Sequence, residues 1–137
     1  MVRLFNGGDM RIEVSSGDGD VYLVAVQDFV VAQDIVDTVR DAAPGAVIVT
    51  VPDCAAAAAA VAGHSRLVLA FVEAGPGRVA QLQLDREVVG RGGRLVLLGD
   101  AAEEAWDSGA ATGRVWPVLI RPFSSPAVMA LLKAARA

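Results

Sequence analysis

The chain has one cysteine, Cys54, and one histidine, His64, among its 137 residues. A single cysteine cannot form an internal disulfide, which favours a reducing, cytoplasmic location. With one histidine, the sequence offers no set of alternative Ser-His-Asp or Cys-His pairs, and we expect no enzymatic activity. Cys54 is predicted to be a core residue at the start of a helix. His64 is predicted to lie in a loop after Gly63, either on the surface or as a helix cap.

Basic runs and long apolar runs are also missing. The formal net charge is −4, and no cluster of lysine and arginine provides the electrostatic footprint of a nucleic-acid-binding protein. No stretch approaches the roughly 18 consecutive apolar residues of a membrane span, and the opening MVRLFNGGDMR has no sustained apolar core of a signal peptide. We therefore expect no nucleic-acid or membrane partner, and we expect no metal and no cofactor.

The chain is nevertheless rich in apolar residues. They make up 54% of it, and the mean hydropathy is +0.48. A chain of this length is expected to form one domain with a substantial core. The apolar excess predicts either an unusually large core or an apolar surface that a partner covers.

Five apolar runs alternate with segments of helical length. The runs are Tyr22–Val26, Val47–Val51, Leu67–Val72, Leu95–Leu98 and Val118–Ile120. This alternation predicts an α/β domain over residues 21–137, with a five-stranded parallel sheet in the order 2-1-3-4-5 and helices on both faces. The functional crevice of such a sheet lies at the carboxyl ends of its strands.

The residues ahead of this domain form a distinct segment, 1–20. Val2–Phe5 and Met10–Val14 are short extended runs around the turn-forming Asn6–Asp9, and Ser15–Asp20 is typical of a linker. We expect an additional edge hairpin or a leader. The alternative is a segment used in dimerisation or docking.

Local signals predict where several helices begin. Asp28 is a suitable N-cap for the helix after the first strand, and Asp100 with Glu103 resembles a capping box after the fourth. Residues Arg78–Val89 are predicted to form one helix with a charged face.

The end of the last predicted strand carries Arg121-Pro122-Phe123. Together with the order of strands and helices over residues 21–135, it resembles the Lys-Pro-Phe of bacterial response-regulator receiver domains. The resemblance implies a flavodoxin-like fold and a role in two-component signal transduction. It also implies five functional positions: two acidic residues that hold Mg²⁺, an aspartate that accepts the phosphoryl group, a Ser or Thr, and a lysine that contacts the phosphate.

This chain departs from the family at these positions. In chain order they hold Gln27 and Asp28, Phe71, Gly99 and Arg121. Counting back from Pro76 places Val72 at the acceptor position instead, and neither Phe71 nor Val72 can be phosphorylated. Aspartyl phosphate chemistry needs a carboxylate nucleophile and several oxygen ligands for Mg²⁺. The resemblance therefore implies a degenerate, atypical receiver, a pseudo-receiver whose pocket does not work.

Two acidic residues stand near these positions as possible substitutes. A longer third strand would bring Glu73 into the pocket as a fixed negative charge, although the expected role is a surface glutamate. Asp100 follows Gly99 directly. Arg121 keeps a positive charge and could pair with Asp28 or Asp100, but its planar guanidinium is not equivalent to the ammonium of lysine.

The resemblance also implies a surface for partners, formed by the fourth helix, fifth strand and fifth helix. Its candidate residues are Trp106, Trp116, Phe123, Met129 and Leu132. Tryptophan is enriched at binding hot spots, although both tryptophans could instead pack into the domain itself. We expect a phosphorylation-independent module for protein–protein interaction, whose partner is a second copy in a homodimer, a histidine kinase, an output domain or another regulator.

Two other functions stay open. One is a small-molecule sensor whose ligand contacts Phe71, Arg121 and Asp100 in the crevice. The other is an atypical phospho-accepting receiver that uses Glu73 or Asp100.

Overall fold

The computed structural model describes residues 2–4, 11–14, 20–108, 116–121 and 123–136. Within these residues the strands are β1 (Val2–Leu4), β2 (Arg11–Val14), β3 (Val21–Ala25), β4 (Val47–Val51), β5 (Leu69–Glu73), β6 (Arg94–Leu98) and β7 (Val118–Leu119). The helices are α1 (Phe29–Ala42), α2 (Cys54–Ala62), α3 (Pro76–Gln81), α4 (Leu84–Gly90), α5 (Asp100–Ser108) and α6 (Ser125–Arg136).

All seven described strands belong to one sheet, in the order β1-β2-β4-β3-β5-β6-β7. The five strands from β4 to β7 are parallel, which confirms the predicted order 2-1-3-4-5. Strands β1 and β2 pair antiparallel with each other, and β2 pairs antiparallel with β4, so they extend the sheet at that edge. The predicted turn at Asn6–Asp9 and linker residues 15–19 lie outside the described part, and the division of the chain at residue 20 stays a prediction.

The central strands are apolar on both faces because helices cover both. Leu23 of β3 and Val72 of β5 lie in the core under α2, α3, α4 and α5. Tyr22 and Phe71, one position earlier on the same strands, lie in the core under α1 and α6. Successive side chains of a strand point to opposite faces, so a strand covered on both sides reads as a continuous apolar run.

The N-caps of α1 and α2 are formed by aspartates. The Oδ1 atom of Asp28 accepts hydrogen bonds from the backbone N–H groups of Val30 (2.9 Å) and Val31 (3.2 Å), as expected from the sequence. Asp53 accepts one from Ala56 at 2.8 Å. These bonds satisfy amide groups that have no partner within the helix.

The segment predicted as one helix over Arg78–Val89 forms two helices instead. Gln83 lies between them with φ 55°, in the left-handed region, and its carbonyl accepts the Glu87 N–H at 3.2 Å. The break places Leu84 in the core, fully buried. The prediction was wrong because burial of Leu84 prevailed over local helix propensity, which marks no break at this position.

Cys54 and His64 are placed as their local patterns indicate. Cys54 is the first residue of α2 and is buried, and burial raises the pKa of its thiol. His64 lies after α2 and is half-buried. The pKa of its imidazole is lowered, mainly by burial and to a smaller extent by the positive charge of Arg91. No helix among the described residues combines the length and apolar character needed to cross a bilayer.

Candidate functional site

The candidate site is the crevice at the carboxyl ends of β3, β5, β6 and β7, called here the carboxyl-end crevice. Parallel strands bring the residues that follow them to one edge of the sheet. These residues are Gln27 and Asp28 after β3, Glu73 at the end of β5, Gly99 and Asp100 after β6, and Arg121 after β7.

Glu73 links the ends of two neighbouring strands. It is the last residue of β5 and is half-buried, and its Oε1 atom accepts a hydrogen bond from the backbone N–H of Gln27 at 2.8 Å. A hydrogen bond to a charged acceptor is stronger than one between neutral groups. The carboxylate is therefore held at the crevice by the end of β3, in contrast to the surface glutamate expected from the sequence.

Gly99 lies beneath the Glu73 side chain. Its φ is +96°, and a Cβ atom at this position would lie 2.8 Å from Cγ of Glu73 and 3.4 Å from its Oε2. A Ser or Thr here would collide with the glutamate and would also adopt an unfavourable backbone conformation. The hydroxyl that receivers keep at this position and the observed Glu73 conformation thus exclude each other sterically.

Phe71 and Val72, the two predicted occupants of the acceptor position, are core residues. Both are 0% exposed, and they face opposite sides of the sheet. The third parallel strand begins at Leu69, two residues after the predicted start, so it runs on to Glu73. Phe71 therefore exposes no side-chain surface to the carboxyl-end crevice, and the small-molecule site expected from Phe71, Arg121 and Asp100 stays a prediction.

Arg121 is bound to two of the four acidic residues of α5, Asp100 and Glu103. Its Nε donates to Oε2 of Glu103 at 2.9 Å, its backbone N–H donates to the same oxygen at 3.1 Å, and its Nη2 forms an ion pair with Asp100. Hydrogen bonds from Arg121 lower the pKa of the Glu103 carboxyl. In turn, hydrogen bonds to Glu103 and Asp100 raise the pKa of the Arg121 guanidinium. The structure therefore pairs Arg121 with Asp100, one of its two predicted partners.

Glu103 is a residue of the carboxyl-end crevice that the sequence suggested only as part of a helix cap. The capping box expected for Asp100 and Glu103 is not formed, because α5 begins at Asp100 and the Glu103 carboxylate turns to Arg121. The physical reason is the arginine itself, which offers two donors to one carboxylate oxygen. The spacing of three residues places both acids on one face of the helix, and that was the available signal.

The charges near the crevice are mainly negative. The carboxylates of Asp28, Glu73, Asp100 and Glu103 lie at this end of the sheet with the guanidinium of Arg121. Asp28 is occupied as the cap of α1. Among the described residues, no group of three or more His, Cys, Asp or Glu side chains could hold a metal ion. The arrangement presents a negative field and positions no oxygen cage for Mg²⁺.

The residues predicted for a partner surface differ in exposure. Trp106 on α5 is 51% exposed, whereas Trp116 is half-buried against the core. Phe123 and Met129 are half-buried against the other core, and Leu132 is 2% exposed within it. Trp106 therefore offers free apolar area to a partner. Leu132 does not, because it faces the core between α6 and α1.

Solved structures share this fold. The crystal structure of a response regulator receiver protein from Sinorhizobium medicae WSM419 is 22% identical, covers 86% of this chain and 98% of its own, and superposes with a TM-score of 0.60. The crystal structure of an adenylate cyclase from Rhodopirellula baltica is 12% identical, covers 85% of this chain and 87% of its own, and has a TM-score of 0.64. These likenesses show a flavodoxin-like fold of the kind found in receiver domains.

Sequence comparison adds no family assignment. No protein-family model matches the chain, and a search of curated proteins found no significant match. The fold is thus established by the structure, and any proposal for the function must be argued from the carboxyl-end crevice and from the exposed residue Trp106.

Proposed function

We propose that this chain is a receiver-fold signalling domain that acts by protein–protein interaction without being phosphorylated. The observation that carries the proposal is the position of Glu73. Its carboxylate occupies the crevice, accepts the Gln27 N–H at 2.8 Å and lies across Gly99. A carboxylate of the chain itself thus lies in the crevice where the resemblance implies that a phosphoryl group would be bound.

The charges around the crevice support the same conclusion. A phosphoryl group entering the crevice would meet the carboxylates of Glu73, Asp100 and Glu103, and the guanidinium of Arg121 is already engaged by Asp100 and Glu103. Like charges a few ångströms apart repel each other, and the repulsion grows as water is excluded from the space between them. Among the described residues, no group of three or more His, Cys, Asp or Glu side chains is placed to hold a metal ion that would offset that repulsion.

The surface supports a role in binding proteins. Trp106 and Ile120 are exposed large apolar residues, 51% and 44%, on α5 and directly after β7, two elements that pack against each other. Exposed tryptophan is costly in water and is enriched at interface hot spots. We propose that this surface, defined by Trp106 and Ile120 and called here the α5–β7 surface, binds a second copy of the chain or another signalling protein.

The first test is an NMR titration of the labelled protein with Mg²⁺ and beryllofluoride, which mimics an aspartyl phosphate. The proposal predicts no saturable shift of the Gln27, Glu73, Gly99 and Arg121 amides. Titrations with Mg²⁺ alone and with fluoride alone serve as controls for non-specific salt effects. A saturable shift that needs all components and spreads to Trp106 would contradict the proposal and indicate a working phosphorylation switch.

A further inference from the structure

A cavity lies at the amino ends of the parallel strands, opposite the carboxyl-end crevice. Its volume is about 270 Å³, and it is lined by the first residues of β5 and β6, by Trp116 and by the end of α6. Its apolar wall is formed mainly by Leu69, Val96, Trp116, Leu131 and Ala134. The proposed function makes no use of this cavity.

Within the described residues, the cavity lies beside the half of β6 that β7 does not cover. Strand β6 has five residues, but β7 pairs only with Leu97 and Leu98, and Pro117 continues the contact through its carbonyl, which accepts the Leu97 N–H at 2.9 Å. Among the described residues, no strand pairs with the Arg94–Val96 half of β6 on that side. Trp116 and α6 border the space that a longer strand would fill.

One charged side chain, Arg94, lines this otherwise apolar cavity. Arg94 is exposed, and its guanidinium forms no ion pair or hydrogen bond with any side chain that the structure describes. Asp100 and Glu103 occupy the guanidinium of Arg121, and Glu87 occupies that of Arg91. An arginine at the edge of an apolar cavity is suited to a carboxylate whose hydrocarbon part enters the cavity.

From this combination, we infer that the cavity binds a small amphiphilic carboxylate, with its hydrocarbon chain against Trp116 and Leu131 and its carboxylate on Arg94. The size of the cavity sets the length of the chain. At about 30 Å³ for a water-sized group, 270 Å³ holds about nine non-hydrogen atoms. Octanoate is therefore a suitable probe, and a phospholipid with two long chains is too large to enter whole.

The experiment uses tryptophan fluorescence. The full chain contains two tryptophans, so the variant Trp106→Phe leaves Trp116 as the only reporter, in the wall of the cavity. Octanoate is titrated against octanol, which has the same hydrocarbon chain without the charge. We expect a saturable change in Trp116 emission with octanoate, and binding about tenfold weaker with octanol, as for loss of one charge-assisted contact. Calorimetry on the wild-type chain provides an independent affinity.

Two further variants locate the binding. Arg94→Gln should reduce octanoate affinity to that of octanol, and Ala134→Phe should fill the cavity and abolish the response to both. Arg78→Gln is the matched control, since Arg78 lies on α3, which follows the carboxyl end of β5 and is away from the cavity. Thermal unfolding verifies that each variant is folded.

Any of three results in these titrations would overturn the inference. The first is that octanoate gives no saturable response. The second is that octanoate and octanol bind equally well to the protein that retains Arg94. The third is that the response to octanoate persists in a folded Ala134→Phe variant. Vesicles of anionic phospholipid distinguish a free carboxylate from a bilayer. A response to vesicles without a response to free octanoate would equally overturn it.

Discussion

Glu73 and Gly99 depend on each other, because the place of a Cβ on residue 99 lies 2.8 Å from Cγ of the glutamate. The glycine also has φ +96°, a conformation that residues with a side chain rarely adopt. The end of β6 thus leaves room for the side chain that the end of β5 projects across it. The Glu73 carboxylate therefore lies at the carboxyl-end crevice, over the space that a side chain on residue 99 would fill.

Gly99→Ala is expected to lower the free energy of unfolding by about 1–3 kcal/mol, because the new methyl group meets Glu73 and the backbone becomes strained. Urea unfolding at neutral pH measures the change. The double variant Glu73→Ala/Gly99→Ala should recover the steric part of the loss and keep the part due to the positive φ.

Gly77→Ala provides the control for this substitution. Gly77 lies within α3, and a Cβ there would have nothing within 4 Å. Alanine in a helix should stabilise the protein by about 0.5–1 kcal/mol relative to glycine. Equal effects at positions 77 and 99 would show that Glu73 does not occupy the space above Gly99.

Gln83→Gly is expected to stabilise the protein, by no more than about 1 kcal/mol. Gln83 has φ 55° between α3 and α4, and a left-handed conformation costs a residue with a side chain roughly 1–2 kcal/mol. Part of that gain is lost because glycine is more flexible in the unfolded chain. Thermal or urea unfolding provides the measurement.

The comparison for position 83 is Arg86→Gly, an exposed position inside α4 with regular helical geometry. There the same replacement should destabilise by about 0.5–1 kcal/mol. Destabilisation at both positions would argue that α3 and α4 form one continuous helix in solution.

The fold could be predicted from the sequence because each parallel strand is buried on both faces and therefore forms a continuous apolar run. The same property hides where a strand begins. Leu67 and Val68 are apolar like the strand that follows them, so the run predicted an early start and placed Phe71 at the site. The hydrogen bond from Gln27 to Glu73 joins residues 46 positions apart, and no local pattern encodes it.

Glu103→Gln should change how stability depends on pH. Hydrogen bonds from Arg121 lower the pKa of Glu103 in the folded chain. Its stabilising contribution is therefore present above the pKa of the unfolded chain, about 4.3, and is lost as the pH falls through the lowered folded value. The wild-type protein should exceed the variant in stability at neutral pH, and the difference should vanish in acid.

Urea midpoints from neutral pH to about pH 3 test this pH dependence, since the usual carboxyl pKa values fall within that range. Glu104→Gln is the control, because Glu104 is the next residue and is exposed on the same helix. It should show no such pH-dependent difference. A constant gap between the wild-type protein and Glu103→Gln across the range would mean that the carboxylate does not rely on Arg121.

Trp106→Ala tests the α5–β7 surface directly. If the chain self-associates through this surface, sedimentation equilibrium should show a mass that rises with concentration in the wild-type protein. The variant should shift that dependence to at least about tenfold higher concentration, since a central tryptophan contributes 2 kcal/mol or more at a hot spot. Because Trp106 is 51% exposed, its loss should leave thermal stability nearly unchanged.

Phe29→Ala is the matched control, because Phe29 is also an exposed aromatic residue, 66% exposed, but begins α1 on the other face of the sheet. At every concentration, the mass of this variant should equal that of the wild-type protein. If the wild-type protein is monomeric throughout, self-association is wrong and the surface must serve a different protein. If Phe29→Ala weakens association as much as Trp106→Ala does, the contact is a general consequence of exposed apolar residues, and the α5–β7 surface has no special role.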